Sequence, residues 1–434
     1  MLTQLVTSHP AQPPSLPADV CVQLPQGQLL GAANASVKLI FSNWSGLARF
    51  KAGQIGALAE DYVEGKLQLE GAMRDVMRVV TRVLTGNPVE SDTRWWTGLI
   101  RRARSLAAHT LEKDAAQVQF HYDVSDAFYA LWLGPGQIYS CAYYRDLSNP
   151  SITLAKAQEA KLDHICRKLM LKPGERFLDI GAGWGALMLW AAEHYGVDST
   201  GITLSKNQHA HVQQLINKKG LGHRVRIELR DYRQMAVGPN IQPFEKISSV
   251  GMFEHVGLAN ITAYFSKIMA LLVPGGLVMN HSITAGGLEN HQLGAGMGDF
   301  IEKYIFPGGE LQHVSVLLAH MARAGLELVD AENLRPHYAR TLWDWSNALE
   351  QKLAEARDIL LVDKNCEHAE KTLRAYRLYL AGSAMSFEQG WLSLHQLLAT
   401  RPTGDVSSAP AKGAQSVYPF NRDYMYSQTH QGLG

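Results

Sequence analysis

The sequence predicts an α/β fold: a doubly wound, mostly parallel sheet, with a smaller N-terminal α+β domain ahead of it. Three observations carry this. Short apolar runs alternate with segments of helical period between Phe177 and His281, the pattern of strands joined by crossover helices. A glycine turn, Gly181-Ala-Gly-Trp-Gly185, lies between the first such run and the first such helix, as in the opening unit of a parallel sheet. Polar residues then gather where the runs end: Asp179, Thr203, Asp231, Glu254 and His281. Open α/β sheets bind ligands beyond the carboxyl ends of their strands, and core packing alone gives no reason for polar groups at every end.

The elements follow in order. Phe177 to Ile180 is the first strand, and Ala186 to Glu193, after the glycines, is the first helix. Gly201 to Ser205 closes a second strand, Arg224 to Asp231 alternates as a third, and Phe244 to Gly251 is a fourth. Pro274 to His281 is a turn feeding a fifth, and helices fill the gaps at Asn207 to Lys218 and Ile261 to Leu272. Glycines without a Cβ let a ligand approach the backbone. The spacing Gly181-x-Gly183-x-Gly185 is not the G-x-G-x-x-G of a dinucleotide binder. Where a NAD fold places an acid for the ribose, the second strand end here carries Thr203, with Gln208 one turn on. The glycine spacing favours S-adenosylmethionine over a nicotinamide or flavin, and the second strand end requires a different ribose contact; a helix-packing turn without a ligand is the plainer reading of the glycines alone.

Length and composition set bounds. A chain of 434 residues is long enough for two domains. A net charge of +1 provides no global field toward nucleic acid or an anionic membrane. Cys21, Cys141, Cys166 and Cys366 are widely spaced, without metal or redox spacing, so reduced thiols in a cytoplasm are expected and no metal site. No apolar run approaches the ~20 residues of a membrane span, the first residues lack the charged-then-apolar order of a signal, and no repeat is evident. Residues 1–90 form an accessory domain, with Val37 to Phe41 alternating as a strand and Ala72 to Leu84 closing it as a helix. Residues 91–114 read as a linker helix, 115–400 as the catalytic domain, and 401–434 as a mobile or loosely docked tail rich in Gly, Ser and Pro.

Several motifs in order resemble cyclopropane-fatty-acyl-phospholipid synthases, whose relatives include the mycolic acid cyclopropane synthases. They are Gly181-Ala-Gly-Trp-Gly185, Thr203-Leu-Ser-Lys-Asn-Gln208, Asp231-Tyr-Arg233, Ser249 to Gly257, Lys303 to Gly308, His121 to Ser125 and Tyr139 to Tyr143. The resemblance covers roughly residues 115 to 395 and departs at Ala182, where the family commonly has cysteine. It implies a class I methyltransferase fold, S-adenosylmethionine as cofactor and a bound bicarbonate as base. Residues 57–71 resemble the N-terminal segment of long-form synthases, with a sterol-carrier-like, lipid-binding character.

The chemistry sets requirements. An alkene that attacks a sulfonium methyl leaves a carbocation beside the new bond, and loss of a proton from the added methyl closes a ring. Such a site needs a dry apolar channel, groups that tolerate positive charge and a base within reach. By resemblance, the backbone of Cys141, Glu254, His281, the amide of Ile283 and Tyr338 hold the anion, and Glu254 accepts its proton. Asp179, Gly181, Gly183 and Gly185 cradle methionine and ribose, Thr203 and Gln208 face the ribose, Asp231 and Tyr232 face the adenine, and Tyr139 and Ser140 cover the cofactor. Taken singly, each has a plainer reading: Cys141 as a small buried hydrophobe, Glu254 as a loop residue, His281 as a satisfied histidine. His255 is read as structural, because adjacent side chains diverge, and no covalent thiol chemistry is assigned to Cys141.

The expected partners are unsaturated phospholipid acyl chains, the bilayer surface reached peripherally from the cytoplasm, and a second copy as homodimer, with no nucleic acid. Arg94 to Arg104 joins two tryptophans to clustered arginines, a combination of interfacial helices, although a linker helix packing one domain on another explains it as well. Phe120 to Trp132 reads as an acyl-channel wall or lid. A lipid C-methyltransferase leaving a methylene or methyl branch shares the first steps, and a non-enzymatic lipid binder on the same fold is the third class.

Overall fold

In the computed structural model the described residues are 17–84, 89, 124–288, 294, 296–306, 310–403, 418–419 and 421–426. The linker at 91–114, with Arg94 to Arg104, and His121 to Asp123 lie outside them. The chain divides into two units, 1–85 and 86–434, described separately.

The first unit carries β1 (Val20–Gln23), β2 (Leu29–Gly31), β3 (Val37–Phe41), α1 (Trp44–Lys51), α2 (Ile55–Val63), β4 (Leu67–Glu70) and α3 (Met73–Val83). Its sheet runs β2-β1-β3-β4. The alternation of β3 buries Val37, Leu39 and Phe41 on one face. Helix α3 buries Met73, Val76, Met77 and Val79, the three-to-four spacing of an amphipathic helix.

The second unit holds a seven-stranded sheet. Its elements are α4 (Asp126–Leu133), α5 (Leu154–Lys168), β5 (Arg176–Ile180), α6 (Ala186–Tyr195), β6 (Asp198–Thr203), α7 (Lys206–Lys219), β7 (Val225–Leu229), β8 (Phe244–Val250), α8 (Ile261–Leu271), β9 (Leu272–Ala285), α9 (Met297–Tyr304), α10 (Val314–Arg323), β10 (Glu327–Asn333), α11 (Arg335–Glu350), α12 (Leu353–Asp363), α13 (Cys366–Glu388), β11 (Leu392–Thr400) and α14 (Asp423–Tyr426). The strand order is β10-β11-β9-β8-β5-β6-β7. Strands β5 to β9 pair in parallel, while β11 runs antiparallel to β9 and β10. The doubly wound, mostly parallel sheet expected from the sequence is present. Its β10 and β11 were not among the five expected strands, and β9 is longer than the run expected at 274–281.

The parallel order places the ends of β5, β6 and β8 side by side, with β5 and β8 adjacent, so that residues far apart in sequence meet. Gly185 opens α6 at φ +83°, and a Cβ there would stand 2.9 Å from Val212 Cγ2. Its glycine is therefore required by the packing of α6 on α7.

Part of the tail, expected to be mobile or loosely docked, is docked. Met425 is buried among Leu162, Ile165 and Cys166 of α5. Its carbonyl lies 3.2 Å from His164 Nδ1, and Tyr418 donates to Glu327 at 2.7 Å. Met425→Ala is expected to cost about 2–5 kcal/mol, the usual loss for a buried methionine. A melting temperature unchanged by the substitution would contradict this docking.

Candidate active site

The cofactor cleft forms at the ends of β5, β6 and β8. Asp179, Gly181, Gly183, Thr203, Gln208, Asp231, Tyr232, Tyr139 and Ser140 all line it, whereas Gly185 does not. Gly183 sits at φ +56°, and a Cβ there would meet nothing within 4 Å, so that substitution would project into open space at the glycine turn. Asp179 is buried and accepts from Ser248 Oγ at 2.7 Å; burial pushes its pKa up to about 6, against the pull of that hydrogen bond and of Lys161.

Local sequence explains the arrangement at β6. Ser205 caps α7, accepting from Gln208 N at 3.3 Å. The Gln208 side chain does not complete a capping box. Its Oε1 accepts from Thr203 Oγ1 at 2.9 Å, and Ser205 N donates to Thr203 Oγ1 at 3.1 Å. Gln208 Nε2 is thereby left as a buried donor with no protein partner. Buried donors are seldom left so, and this one belongs to a cleft-lining residue, which fits a polar ligand. Asp231 is differently engaged. Its Oδ1 accepts from Arg233 N and Nε at 2.8 and 2.9 Å, and its Oδ2 from Arg233 Nη2 at 2.7 Å. It caps the turn that carries Tyr232.

The segment ahead of the sheet is clamped between α5 and α11. Gln158 Nε2 donates to Ser140 O at 2.9 Å, Ala142 N to Thr341 Oγ1 at 3.0 Å and Tyr144 N to His337 Nδ1 at 3.0 Å. Tyr139 sits in an aromatic cluster with Tyr129, Trp132 and Trp345, its hydroxyl 3.0 Å from that of Tyr379. Phe128, Tyr129 and Trp132 of α4 are buried in this cluster, an apolar body of rings packed on Tyr139, which itself lines the cleft. The π faces of such rings favour nearby positive charge.

The five residues expected to hold an anion belong to one connected neighbourhood. Ile283 N donates to Glu254 Oε1 at 2.6 Å. Ile283 pairs with Leu394, Leu334 N donates to Leu394 O at 2.8 Å, and Leu334 O lies 4.0 Å from Cys141 Sγ. Tyr338 N donates to Leu334 O at 3.0 Å, and His281 pairs with Gln396 on the same two strands. The amide of Ile283 is thus engaged by Glu254 itself, so the donor expected to face the ion is already in use. Glu254 Oε2 and His281 Nε2 are buried without partners. Gln396 Nε2 lies 3.1 Å from His281 Nδ1; with the amide donating there, the neutral ring carries its proton on Nε2. Burial, and then the charges of Lys161 and Lys168, holds the His281 pKa well below its usual value, so the ring is neutral at pH 7. Burial pushes Glu254 up to about 7, opposed by the Ile283 amide. Burial also raises the Cys141 thiol far from its usual range, which gives no thiolate for covalent chemistry.

The family model for mycolic acid cyclopropane synthetase matches residues 109–397. The chain belongs to this family. A "Probable fatty acid methyltransferase" of Pseudomonas putida is 44% identical over 369 residues, covering 85% of this chain and 86% of that protein. Cyclopropane mycolic acid synthase 1 of Mycobacterium tuberculosis is 39% identical over 297 residues, covering 66% and 97%. The crystal structure of mycolic acid cyclopropane synthase CmaA1, complexed with SAH and CTAB, superposes with a TM-score of 0.59 at 36% identity, over 66% of this chain and 98% of that one. Fold, cleft and family together make this chain an S-adenosylmethionine-dependent methyltransferase of the lipid-modifying kind.

Several cleft residues, charged or titratable ones among them, escaped the sequence reading. His255, set aside as structural, lines the cleft with Arg233 and Lys161. Lys161 carried a usable signal. Gln158, Lys161, Ile165 and Lys168 of α5 are all buried at helical spacing, and a lysine on a buried face needs a reason.

Proposed function

We propose that this enzyme transfers a methylene from S-adenosylmethionine to the cis double bond of an unsaturated phospholipid acyl chain, with bicarbonate as the base. The observation that carries the reading is two buried atoms without partners, Glu254 Oε2 and His281 Nε2, an acceptor on the residue that holds Ile283 N and a donor two residues before Ile283 on β9. A bicarbonate ion, which has both an O–H to donate and oxygens to accept, matches that pair. S-adenosylmethionine supplies an electrophilic methyl on a neutral leaving group. The alkene's π pair forms the new bond to carbon as the carbon–sulfur pair returns to sulfur. The aromatic cluster of Tyr129, Trp132, Tyr139 and Trp345 excludes water and tolerates the positive charge left on the chain. The proton lost from the added methyl goes to the base, and the freed C–H pair closes the ring. Glu254, ionised above about pH 7, accepts the ion's own proton, which keeps the ion basic. His281 donates from Nε2 and, with Tyr338, fixes its position.

The P. putida relative's name favours a second reading, a fatty acid methyltransferase that leaves a methylene or methyl branch. Incubation with unsaturated phospholipid vesicles and S-adenosylmethionine separates the two. Lipids that gain one CH2 and lose their olefinic proton signals support the ring; retained olefin or a new methyl signal supports the branch; unchanged lipids contradict both. Among the described residues no helix is long and apolar enough to cross a membrane, and access to the acyl chain is assigned to peripheral contact with the bilayer.

The ion makes a further prediction. Removing bicarbonate from the buffer is expected to slow turnover and restoring it to recover the rate. His281→Ala loosens the site and is expected to show the stronger dependence. Rates indifferent to bicarbonate in both proteins would leave Glu254 as the first candidate for the base.

A further inference from the structure

Among the described residues, Lys161 is a cation of the cofactor cleft without an ion pair. It lines the cleft and is 2% exposed. Among the described residues its hydrogen-bond partner is Ser140 Oγ at 2.7 Å, and none of the ion pairs involves it: no carboxylate stands within 4.0 Å of its Nζ. The other cleft-lining cations have acids of their own. Arg233 is paired with Asp231 at 2.7 Å, and Arg230 with Glu228 at 3.2 Å. Asp179 is near enough to influence Lys161 electrostatically, yet its Oδ1 is taken by Ser248. Burial lowers the lysine pKa only to about 8, so the amine is mostly charged at pH 7. A buried ammonium with donors to spare calls for an anion.

S-adenosylmethionine carries two positive groups, the sulfonium and the α-ammonium, and one negative group, the α-carboxylate. We infer that Lys161, together with the Ser140 hydroxyl it holds, binds the α-carboxylate of S-adenosylmethionine. The geometry gives both donors. Ser140 Oγ accepts from the lysine, so its own proton is free to point at an anion. Asp179, on the same floor of the cleft, then suits the α-ammonium. The alternative is that Lys161 only braces the 139–144 segment through Ser140. The inference rests on S-adenosylmethionine being the cofactor.

Calorimetric titration with S-adenosylmethionine and with its decarboxylated analogue decides between these roles. Wild type is expected to bind the analogue less tightly. Lys161→Met is expected to weaken S-adenosylmethionine by about 30-fold or more, as for removal of one partner of a buried charge pair. It should weaken the analogue little, so that the discrimination collapses; Lys161→Arg, which keeps the charge, should recover part of it. Equal weakening of both ligands by Lys161→Met, including loss of both, would show a bracing role and overturn the inference. So would wild type that binds the two ligands equally. Wild type that binds neither ligand would instead refute the cofactor assignment, and the inference with it.

Discussion

Glu254→Gln is expected to bind S-adenosylmethionine nearly as wild type does and to lose about 10²-fold or more in turnover, the range for loss of a group that handles a proton. The amide keeps an oxygen to accept from Ile283 N, which the carboxylate holds at 2.6 Å, so the local backbone has no reason to move. What changes is the second position: an N–H donor replaces Oε2, the buried acceptor without a protein partner. Turnover near that of wild type would reduce Glu254 to a brace for β9. The same group sets a pH dependence. Its pKa of about 7 predicts that wild-type turnover falls as pH drops below about 7. Stability moves the other way. The folded pKa lies above the unfolded value of 4.5, so between these values the folded state binds more protons, and stability falls as pH rises from about 4.5 to about 7. Ionised Glu254 therefore costs something on the order of 3 kcal/mol above pH 7, from a shift of 4.5 to about 7. Glu254→Gln is expected to melt higher than wild type at pH 8 while being far less active, and scanning calorimetry at pH 8 and pH 5 measures the crossover.

Gly183→Val has the largest expected effect on binding. The added branch enters open space in the cleft, where a Cβ at this residue meets nothing within 4 Å, and the cofactor needs that volume. The φ of +56° adds backbone strain, since a left-handed conformation disfavours a β-branched residue. Loss of measurable S-adenosylmethionine binding in a variant with wild-type circular dichroism is the expected result. Gly183→Ala separates volume from strain, with weaker binding than wild type and a smaller strain. Unchanged calorimetric affinity in folded Gly183→Val would place the cofactor elsewhere.

Much of this architecture was legible because local pattern and global fold agree. The glycine turn after Phe177 to Ile180 and the polar strand ends are each short-range signals, and together they locate β5, β6 and the cleft. Strand β11 was missed for a physical reason. Its burial is nearly continuous, it pairs antiparallel with β9 across more than a hundred residues, and periodicity alone does not separate a fully buried strand from a buried helix. Gln396 went with it, although a glutamine opposite His281 is what sets the imidazole tautomer. The engagement of Ile283 N by Glu254 and of Asp231 by Arg233 depends on side-chain rotamers, which motif matching does not contain. The docked Met425 was hidden in a Gly- and Ser-rich tail because one buried side chain, not a period, holds it. Cys141, Glu254, His281 and Tyr338 came from family motifs; no spacing within the chain connects residues brought together by β9, β11 and α11.

Turnover with S-adenosylmethionine carrying a trideuterated methyl, on vesicles of a cis-monounsaturated phospholipid, tests the proposed chemistry most directly. Ring closure removes one hydrogen of the added methyl, so the product should carry a CD2 unit and no olefinic signal, and its formation should slow when bicarbonate is withdrawn. A product that retains all three deuterium atoms would contradict ring closure and move the proton loss to another carbon; a CD2 unit that is itself olefinic would contradict it by showing a hydride shift before the added methyl loses its deuteron.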